Sequence, residues 1–219
     1  MEDNKKYPRT FHVPTSPGKC SDDKVASMNI VEKVLSEEIV ITEKLDGENT
    51  TLTFGGVYAR SHATYTTSSW STEVRTLQRL IKHDIEEGIS LFGENMEGIH
   101  SIEYEKLDSY FYLFGLRKNA TISNWKEVEE MSFLLDLKLV PVLFKGRLKD
   151  YKELETLIQQ FTKEGSRLGG TMEGIVLRPT REFEENEFTN NVFKWVRNNH
   201  VNTSTHWTKT WKKAKLWRA

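Results

Sequence analysis

Apolar positions recur with two different spacings along the chain. Short runs rich in β-branched and aromatic residues predict strands, and apolar residues three or four positions apart predict amphipathic helices. The predicted strands cover residues 38–42, 49–54, 57–61, 89–94, 110–116, 139–144, 172–178 and 191–196. The predicted helices cover residues 24–35, 71–87, 123–137, 149–165 and 204–217. Because strands and helices alternate irregularly, with a Gly-Gly hairpin signal at 55–56, the pattern predicts an α+β fold with antiparallel sheets.

Length and cysteine content restrict the class of protein. A chain of 219 residues is long enough to form one domain with its own core. Its single cysteine, Cys20, cannot form an internal disulfide, which fits a reducing compartment. No apolar run approaches the roughly 18 residues of a membrane span, and the polar start does not resemble a secretory signal. We therefore expect a cytoplasmic monomer with no membrane partner.

Charge is concentrated at the C-terminal end, although the net charge is only −1. Residues 188–219 hold seven of the 31 basic residues and none of the 32 acidic ones, together with four of the six tryptophans. Aromatic residues interleaved with cations can hold nucleic acid without reading its sequence. The candidates are Lys209, Trp211, Lys212, Lys213 and Lys215. An amphipathic helix that packs its tryptophans on the domain and leaves its lysines in water remains the alternative.

The chain divides into three parts by composition. Residues 1–23 are rich in Pro, Lys, Ser and Asp, which predicts a loose lead-in that wraps the domain. Residues 24–204 contain the regular strands and helices and form the predicted central domain. Residues 205–219 form the basic tail.

The segment EKLDGEN at 43–49 carries the most informative chemistry. Lys44 ends a buried strand and Asp46 follows two residues later, so both side chains point to the same face of an extended chain. Desolvation can lower the pKa of such a lysine and make it a nucleophile. A surface strand end with an ion pair and a turn gives the same short motif, so further residues have to distinguish the two interpretations.

Further carboxylates and cations follow strands elsewhere in the chain. The motif FGE ends a strand with Glu94, and EGIVLR begins with Glu173. Lys194 lies in the last predicted strand and Arg197 follows that strand. This set suits attack on a nucleotide α-phosphate, because carboxylates hold Mg²⁺ (or Mn²⁺) and cations offset the charge of the phosphoryl oxygens.

The order of these motifs resembles the lysine-adenylating nucleotidyltransferases, which include ATP-dependent DNA and RNA ligases and mRNA capping enzymes. Within them, the chain is most similar to RNA ligases of the phage-type, nick-sealing branch. The segments that carry the resemblance are TEKLDGENTTL (42–52), YARS (58–61), YFYLFGL (110–116) and KWVRNNHVNTSTHW (194–207). The resemblance implies an adenylation domain (24–204) with two mainly antiparallel sheets flanked by helices. The chain departs from the family at its end. DNA ligases and capping enzymes add an OB-fold after this last motif, and many RNA ligases add a small C-terminal domain. Residues 198–219 are too few for a five-stranded barrel, so we expect no OB-fold and either a nucleotidyltransferase domain with little else or a fragment.

The resemblance also implies a role for each motif residue. Lys44 would form a covalent lysyl-AMP, and Asp46 and Glu173 would organise the metal. The nucleotide contacts would come from Glu43 at the adenine edge, Glu94 on the ribose, Phe114 stacked on adenine, Arg60 on a phosphate and Lys194 on the α-phosphate. Asn49 would serve the later, RNA-dependent steps.

Strand alternation predicts that Tyr110 and Tyr112 share a face with Phe114.

The chain departs from the family at the second cationic contact. The family often has a second lysine two residues after Lys194, but this chain has Val196 there. Arg197 follows it and would leave the strand on the opposite face, which leaves the second cationic contact open.

The implied function is that of an ATP-dependent RNA ligase, which joins 5′-phosphate and 3′-hydroxyl RNA ends. AMP passes from ATP to Lys44, then to the RNA 5′-phosphate, and leaves when the 3′-hydroxyl attacks. A DNA ligase core, a capping-type nucleotidyltransferase and a catalytically silent nucleic-acid-binding relative are the alternatives. The missing OB-fold disfavours the first two, and the presence of Lys44, the acids and Lys194 disfavours the third.

Overall fold

The computed structural model describes residues 6–60, 64–198, 207–209 and 211–217. Its strands, in chain order, are β1 (Phe11–His12), β2 (Ile39–Lys44), β3 (Glu48–Thr53), β4 (Gly56–Ala59), β5 (Ile89–Asn95), β6 (Phe111–Lys118), β7 (Thr121–Ile122), β8 (Lys138–Leu139), β9 (Val142–Gly146), β10 (Gly174–Pro179), β11 (Phe183–Glu184) and β12 (Phe193–Val196). Its α-helices are α1 (Met28–Leu35), α2 (Thr72–Ile81), α3 (Trp125–Leu134), α4 (Tyr151–Glu164) and α5 (Phe188–Asn191). Short 3₁₀ turns lie at Ser69–Ser71, Lys82–Asp84, Glu185–Glu187 and Trp207–Lys209.

The strands form two sheets. The first has the order β1-β12-β10-β2-β9, and the second has the order β11-β7-β6-β5-β3-β4 with β8 beside β6. The β1–β12 and β6–β8 pairs are parallel, and the other pairs are antiparallel. The predicted α+β fold with two mainly antiparallel sheets flanked by helices is confirmed.

The helices cover the sheets with apolar faces. On the first sheet, the buried residues from α1 and α4 are Val31, Val34, Leu35, Tyr151, Leu154, Ile158 and Phe161. Asn124 and Asp150 precede α3 and α4, and their side chains accept hydrogen bonds from the Glu127 and Glu153 amides. Such caps satisfy backbone donors that a helix start leaves free.

The chain passes between the two sheets four times, after β2, β8, β10 and β11. β2 ends at Lys44 in the first sheet and β3 begins at Glu48 in the second, so the centre of EKLDGEN spans the junction between the sheets. The predicted strand 139–144 is divided at Pro141, with β8 in the second sheet and β9 at the edge of the first. Proline cannot donate to a ladder, which explains why the strand is interrupted there. The lysine motif therefore lies between the sheets.

The N-terminal segment is more ordered than a loose lead-in. β1 pairs with β12, and Val13 is fully buried. The His12 amide donates to the Lys24 carbonyl at 2.8 Å, and the Ala26 amide donates to the His12 carbonyl at 2.8 Å. The prediction of a loose segment is wrong for residues 11–13, because backbone pairing with β12 fixes them to the first sheet.

The predicted basic helix at 204–217 is wrong for residues 211–217, whereas Trp207–Lys209 forms a short 3₁₀ turn. Residues 211–217 contain no helix. The Ala214 amide donates to the Glu97 carbonyl at 2.8 Å, and the Ile99 amide donates to the Lys212 carbonyl at 2.9 Å. Pairing with residues 97–99 takes the backbone groups that a helix would use internally. Residues 204–206 and 210 lie outside the described part of the chain, as do His62 and His200. Among the described helices, none has the length and apolar character needed to cross a membrane.

Candidate active site

A cavity of about 700 Å³ is lined by strands of both sheets. Seven predicted site residues line it, namely Glu43, Lys44, Asn49, Arg60, Glu94, Phe114 and Lys194. The other predicted residues, all of them described, do not line it; they are Asp46, Glu173, Arg197, Lys209, Trp211, Lys212, Lys213 and Lys215. The fold thus brings most of the separated motif residues together around one space.

Lys44 and Glu173 form the central ion pair. Lys44 lies opposite Gly174 in the β2–β10 ladder, so the preceding Glu173 comes within reach of its side chain. The Lys44 Nζ donates to Glu173 Oε2 at 2.6 Å. Burial works to lower the pKa of Lys44, but the charges of Glu173 and Glu94 outweigh it and hold the pKa above its ordinary value. The predicted lowering is therefore wrong for this arrangement, in which Lys44 holds its proton against Glu173.

The neighbouring carboxyl of Glu94 is tied to the EKLDGEN loop. The Gly47 amide donates to Glu94 Oε1 at 3.2 Å. Burial raises the pKa of Glu94 to about 8, although the Lys44 charge opposes that shift. A Cβ at Gly47 would lie 2.5 Å from the Asn95 carbonyl oxygen, so only glycine fits between β3 and β5 here. The glycine of the motif is thus required by close approach of the chain.

Asp46 anchors a loop outside the cavity lining. Its Oδ2 accepts hydrogen bonds from the Ser101 amide (2.8 Å), the Ser101 hydroxyl (2.6 Å) and the Ile102 amide (2.8 Å). The Asp46 amide also donates to the Tyr104 hydroxyl at 2.9 Å. These bonds fix residues 101–104 against the lysine loop. The predicted role of Asp46 in organising a metal stays a prediction.

Phe114 enters the cavity through an irregularity of the β5–β6 ladder. Phe92 pairs with Gly115, whereas Gly93 pairs with Leu113, so Phe114 is the extra residue of a bulge. Its ring lines the cavity, but Tyr112 is buried with its hydroxyl 2.6 Å from Asp108. Tyr110 and Tyr112 do not line the cavity with Phe114 as strict alternation predicted, because the bulge breaks the two-residue period.

The cations approach from β12 and the end of β4. The Lys194 Nζ lies 3.5 Å from Asp23 Oδ1. Burial lowers the pKa of Lys194, Asp23 opposes this, and Lys44 adds to it. Arg60 is exposed at the edge of the cavity. Arg197 follows the end of β12 and donates to the Asn198 carbonyl at 3.2 Å, so it is not a second cation in the cavity lining.

Two buried acceptors of the cavity wall have no hydrogen-bond partner within the described chain. They are Glu43 Oε1 and Asn49 Oδ1. The other oxygen of Glu43 accepts from the Arg167 amide at 2.9 Å, and burial raises the pKa of this carboxyl. Leaving a buried acceptor unpaired is costly, so both atoms are suited to a donor supplied by a ligand.

Sequence reasoning missed Tyr7. This residue lies in the N-terminal segment but lines the cavity. Its ring makes edge contacts with Phe92, Phe114 and Phe188 at centroid distances of 5.0, 5.0 and 4.9 Å. Burial raises the pKa of Tyr7 to about 12. A lone tyrosine in a polar segment carries no local signal for such a position. Thr10, Trp70, His100, Arg178 and Thr208 also line the cavity.

The predicted nucleic-acid residues of the tail divide into two groups. Lys213 pairs with Glu73 and lies 3.5 Å from the buried Glu97, with its Nζ 5.1 Å from the centre of the Tyr110 ring. It therefore fastens the tail to the domain. Trp211 is half-buried and meets Trp70 edge-on at 6.3 Å. Lys209, Lys212 and Lys215 are exposed, as is Lys213.

The carboxylates near Lys44 suit a divalent cation that is bound by only one or two protein ligands. Across residues 6–60, 64–198, 207–209 and 211–217, no group of three or more His, Cys, Asp or Glu side chains converges on one point. Mg²⁺ does not need such a cage, since it keeps several waters and uses one or two carboxylates with substrate phosphates. Glu173, buried beside the Lys44 ammonium, has the donor chemistry for this role.

Two mainly antiparallel sheets that hold a motif lysine among carboxylates and cations define a nucleotidyltransferase domain of the ligase type. A family model described as RNA ligase matches residues 37–196, so the chain belongs to the RNA ligase family. The comparison with curated proteins gave no match.

Solved RNA ligases share this fold. The Naegleria gruberi RNA ligase with PPi is 22% identical at a TM-score of 0.58, and the match covers 78% of this chain and 52% of that one. An apo mutant of the Naegleria ligase is 19% identical (TM-score 0.60; 90% and 58% covered). An archaeal ATP-dependent RNA ligase is 14% identical (TM-score 0.60; 88% and 48% covered). The chain thus spans about half the length of these ligases, and at such identities the likeness concerns the fold alone.

Proposed function

We propose that this protein is an ATP-dependent RNA ligase, which seals 5′-phosphate and 3′-hydroxyl RNA ends through a lysyl-AMP intermediate. The observation that carries the proposal is the position of Lys44 in a cavity of about 700 Å³, hydrogen-bonded to Glu173 at 2.6 Å. Membership of the RNA ligase family supports the same reaction. The archaeal relative is described as ATP-dependent, and one Naegleria structure as a complex with ATP and Mn.

The cavity suits an adenine nucleotide. Phe114 offers an aromatic face, and Tyr7 supports that ring from the edge at 5.0 Å. The unpaired Glu43 Oε1 is an acceptor for the exocyclic amine of adenine, a group that guanine replaces with a carbonyl oxygen. Glu94 would accept from a ribose hydroxyl, a role supported by its position in the lining and by the Gly47 amide that donates to its carboxyl.

In the first step, Lys44 loses a proton and attacks the α-phosphate, and pyrophosphate leaves. That proton passes to solvent, because Glu173, the hydrogen-bond partner of Lys44 at 2.6 Å, must stay ionised if it is to hold a cation. Lys194 and Arg60 both line the cavity and would offset the phosphate charge. Glu173 would hold Mg²⁺ or Mn²⁺, with Asp46 as the second predicted residue. The bound cation supplies further charge neutralisation.

The later steps need RNA next to the loaded lysine. AMP moves to the 5′-phosphate of the RNA, and the 3′-hydroxyl then displaces AMP to form the phosphodiester. Asn49 Oδ1 is an unpaired acceptor in the lining and is available to these steps. The exposed Lys209, Lys212 and Lys215, with Trp211, form the proposed RNA surface.

A sealing assay tests this function. A labelled RNA duplex with one nick, bearing a 5′-phosphate and a 3′-hydroxyl, is incubated with ATP and Mg²⁺ and either the wild-type protein or Lys44→Ala. We expect joining by the wild type alone, and none when the nick carries a 5′-hydroxyl. Sealing of a DNA nick alone would indicate a DNA ligase, and labelling by GTP but not ATP would indicate a capping-type enzyme. RNA binding without nucleotide transfer would indicate a catalytically silent nucleic-acid-binding relative of the ligases.

A further inference from the structure

The N-terminal segment (residues 6–24) packs along the strand that carries Lys194. β1 runs parallel to β12, with His12 opposite Lys194 in the register. The Val13 amide donates to the Lys194 carbonyl at 2.9 Å. This segment therefore pairs with the backbone of Lys194.

A carboxylate of the same segment reaches the Lys194 ammonium. Asp23 Oδ1 lies 3.5 Å from Lys194 Nζ and 3.8 Å from the Arg9 guanidinium. Its other oxygen, Oδ2, accepts from the Cys20 amide at 2.9 Å and lies 3.3 Å from His12 Nε2. Partial burial works to raise the pKa of Asp23, but the Cys20 amide and the Lys194 and His12 charges hold it below its ordinary value. The carboxylate is thus kept ionised and fixed.

A buried histidine links Asp23 back to β12. His12 is 1% exposed, and its Nδ1 lies 2.8 Å from the Ser16 hydroxyl. The Ser16 hydroxyl in turn accepts from the Val196 amide at 3.0 Å. A closed ring of contacts therefore runs from Lys194 through Asp23, His12 and Ser16 to the strand that bears Lys194. Such a ring restricts the rotamers of both charged side chains.

We infer that Asp23 is a positioning residue, which holds the Lys194 ammonium at the cavity wall where the α-phosphate of the nucleotide is expected. The inference rests on the proposed function. The other charges near Lys194 are Lys44 and Arg60, which repel its ammonium, and Glu173, which is engaged by Lys44. Without Asp23, repulsion by Lys44 and Arg60 would turn the Lys194 ammonium away from them.

A double-mutant cycle on the rate of Lys44 adenylation tests the inference. Asp23→Asn keeps the shape and an acceptor for the Cys20 amide but removes the charge. We expect it to slow single-turnover adenylation about tenfold, and to change the rate less than about twofold in a Lys194→Met background. Asp23→Glu, which restores the charge, should recover most of the rate. Asp22→Asn is the matched control, because its exposed carboxylate lies next to Asp23 in the chain.

Each outcome separates the inference from the proposed function. If the wild type is not adenylated, the proposed function fails. If the wild type is adenylated but the effect of Asp23→Asn does not depend on Lys194, only the inference about Asp23 fails. An equal loss in the wild-type and Lys194→Met backgrounds, or an Asp23→Asn chain that no longer folds by circular dichroism, would show a structural role and overturn the inference. A faster rate for Asp23→Asn would also overturn it, because Asp23 would then withhold the ammonium.

Discussion

The ammonium of Lys44 and the carboxylate of Glu173 are joined by a 2.6 Å hydrogen bond across two adjacent antiparallel strands. The pair holds the proposed nucleophile in place and also keeps it protonated, since the carboxylate charges raise the pKa of Lys44 above its ordinary value. Nucleophilic attack requires the neutral amine. Glu173 therefore controls when Lys44 becomes reactive.

Replacing Glu173 by glutamine should lower the pKa of Lys44, because burial then acts with less opposition. The measurement is the pH dependence of Lys44 modification by an amine-acylating reagent, followed by peptide mass spectrometry. We expect the midpoint to move to lower pH in Glu173→Gln and to stay unchanged in Glu103→Gln, whose carboxylate is exposed. A midpoint that stays in place or rises would contradict the control of Lys44 by Glu173.

Gly47 should not tolerate a side chain. A Cβ there would lie 2.5 Å from the Asn95 carbonyl oxygen and 2.6 Å from the Met96 sulfur. We expect Gly47→Ala to lose about 1–3 kcal/mol of unfolding free energy in urea denaturation, and to slow adenylation by displacing Glu94. Gly115→Ala is the control, because its Cβ would meet Phe92 at an ordinary 3.8 Å. Equal stability of the two variants would refute the close-approach explanation.

Tyr7 should contribute to nucleotide affinity through its contact with Phe114. Titration calorimetry with ATP in a Lys44→Ala background measures binding without the covalent step. We expect Tyr7→Ala to bind ATP about tenfold more weakly, and Tyr7→Phe, which keeps the ring, to bind within about twofold of the parent. Tyr65→Ala removes an exposed tyrosine outside the cavity lining and should have no effect. Unchanged ATP affinity in Tyr7→Ala would show that Tyr7 does not contribute to nucleotide binding.

The raised pKa of Glu94 predicts a pH-dependent stability. Burial raises this pKa from 4.5 to about 8, so the folded chain binds the proton more tightly than the unfolded chain. The contribution of Glu94 to the free energy of unfolding therefore falls as the pH rises from about 4.5 to about 8, and is constant outside that range. Urea denaturation across this range should show a shallower decline for Glu94→Gln than for the wild type. The exposed Glu87→Gln should retain the wild-type slope, and identical slopes for all three proteins would exclude a titrating Glu94.

Sequence patterns predicted those parts of the fold and site that depend on local order. The alternation around 49–54 and 57–61 with two glycines predicted the β3–β4 hairpin, and the apolar spacing of 149–165 predicted α4. The motif order predicted that Lys44, Glu94 and Lys194 surround one space, because each follows or occupies a strand. That these residues lie around one cavity could be predicted only from the family resemblance, because the local sequence at a strand end does not indicate which strands are neighbours in the sheet.

The remaining features arise from long-range contacts. Residues 211–217 have the composition of an amphipathic helix, but pairing with 97–99 and the contact of Lys213 with Glu97 favour an extended tail. Phe114 leaves the strand period because of a bulge opposite Phe92 and Gly93. Tertiary pairing overrides propensity in both cases.

Intact mass spectrometry of the wild-type protein and Lys44→Ala, after incubation with ATP and a divalent cation, tests the lysyl-AMP proposal most directly. We expect the wild type to gain the mass of one AMP, on a peptide that contains Lys44, and the variant to gain none. The adduct should disappear when a nicked RNA with a 5′-phosphate is added, because AMP moves to the RNA. No gain in the wild type with ATP, or an equal gain in Lys44→Ala, would contradict Lys44 as the nucleophile of an ATP-dependent RNA ligase.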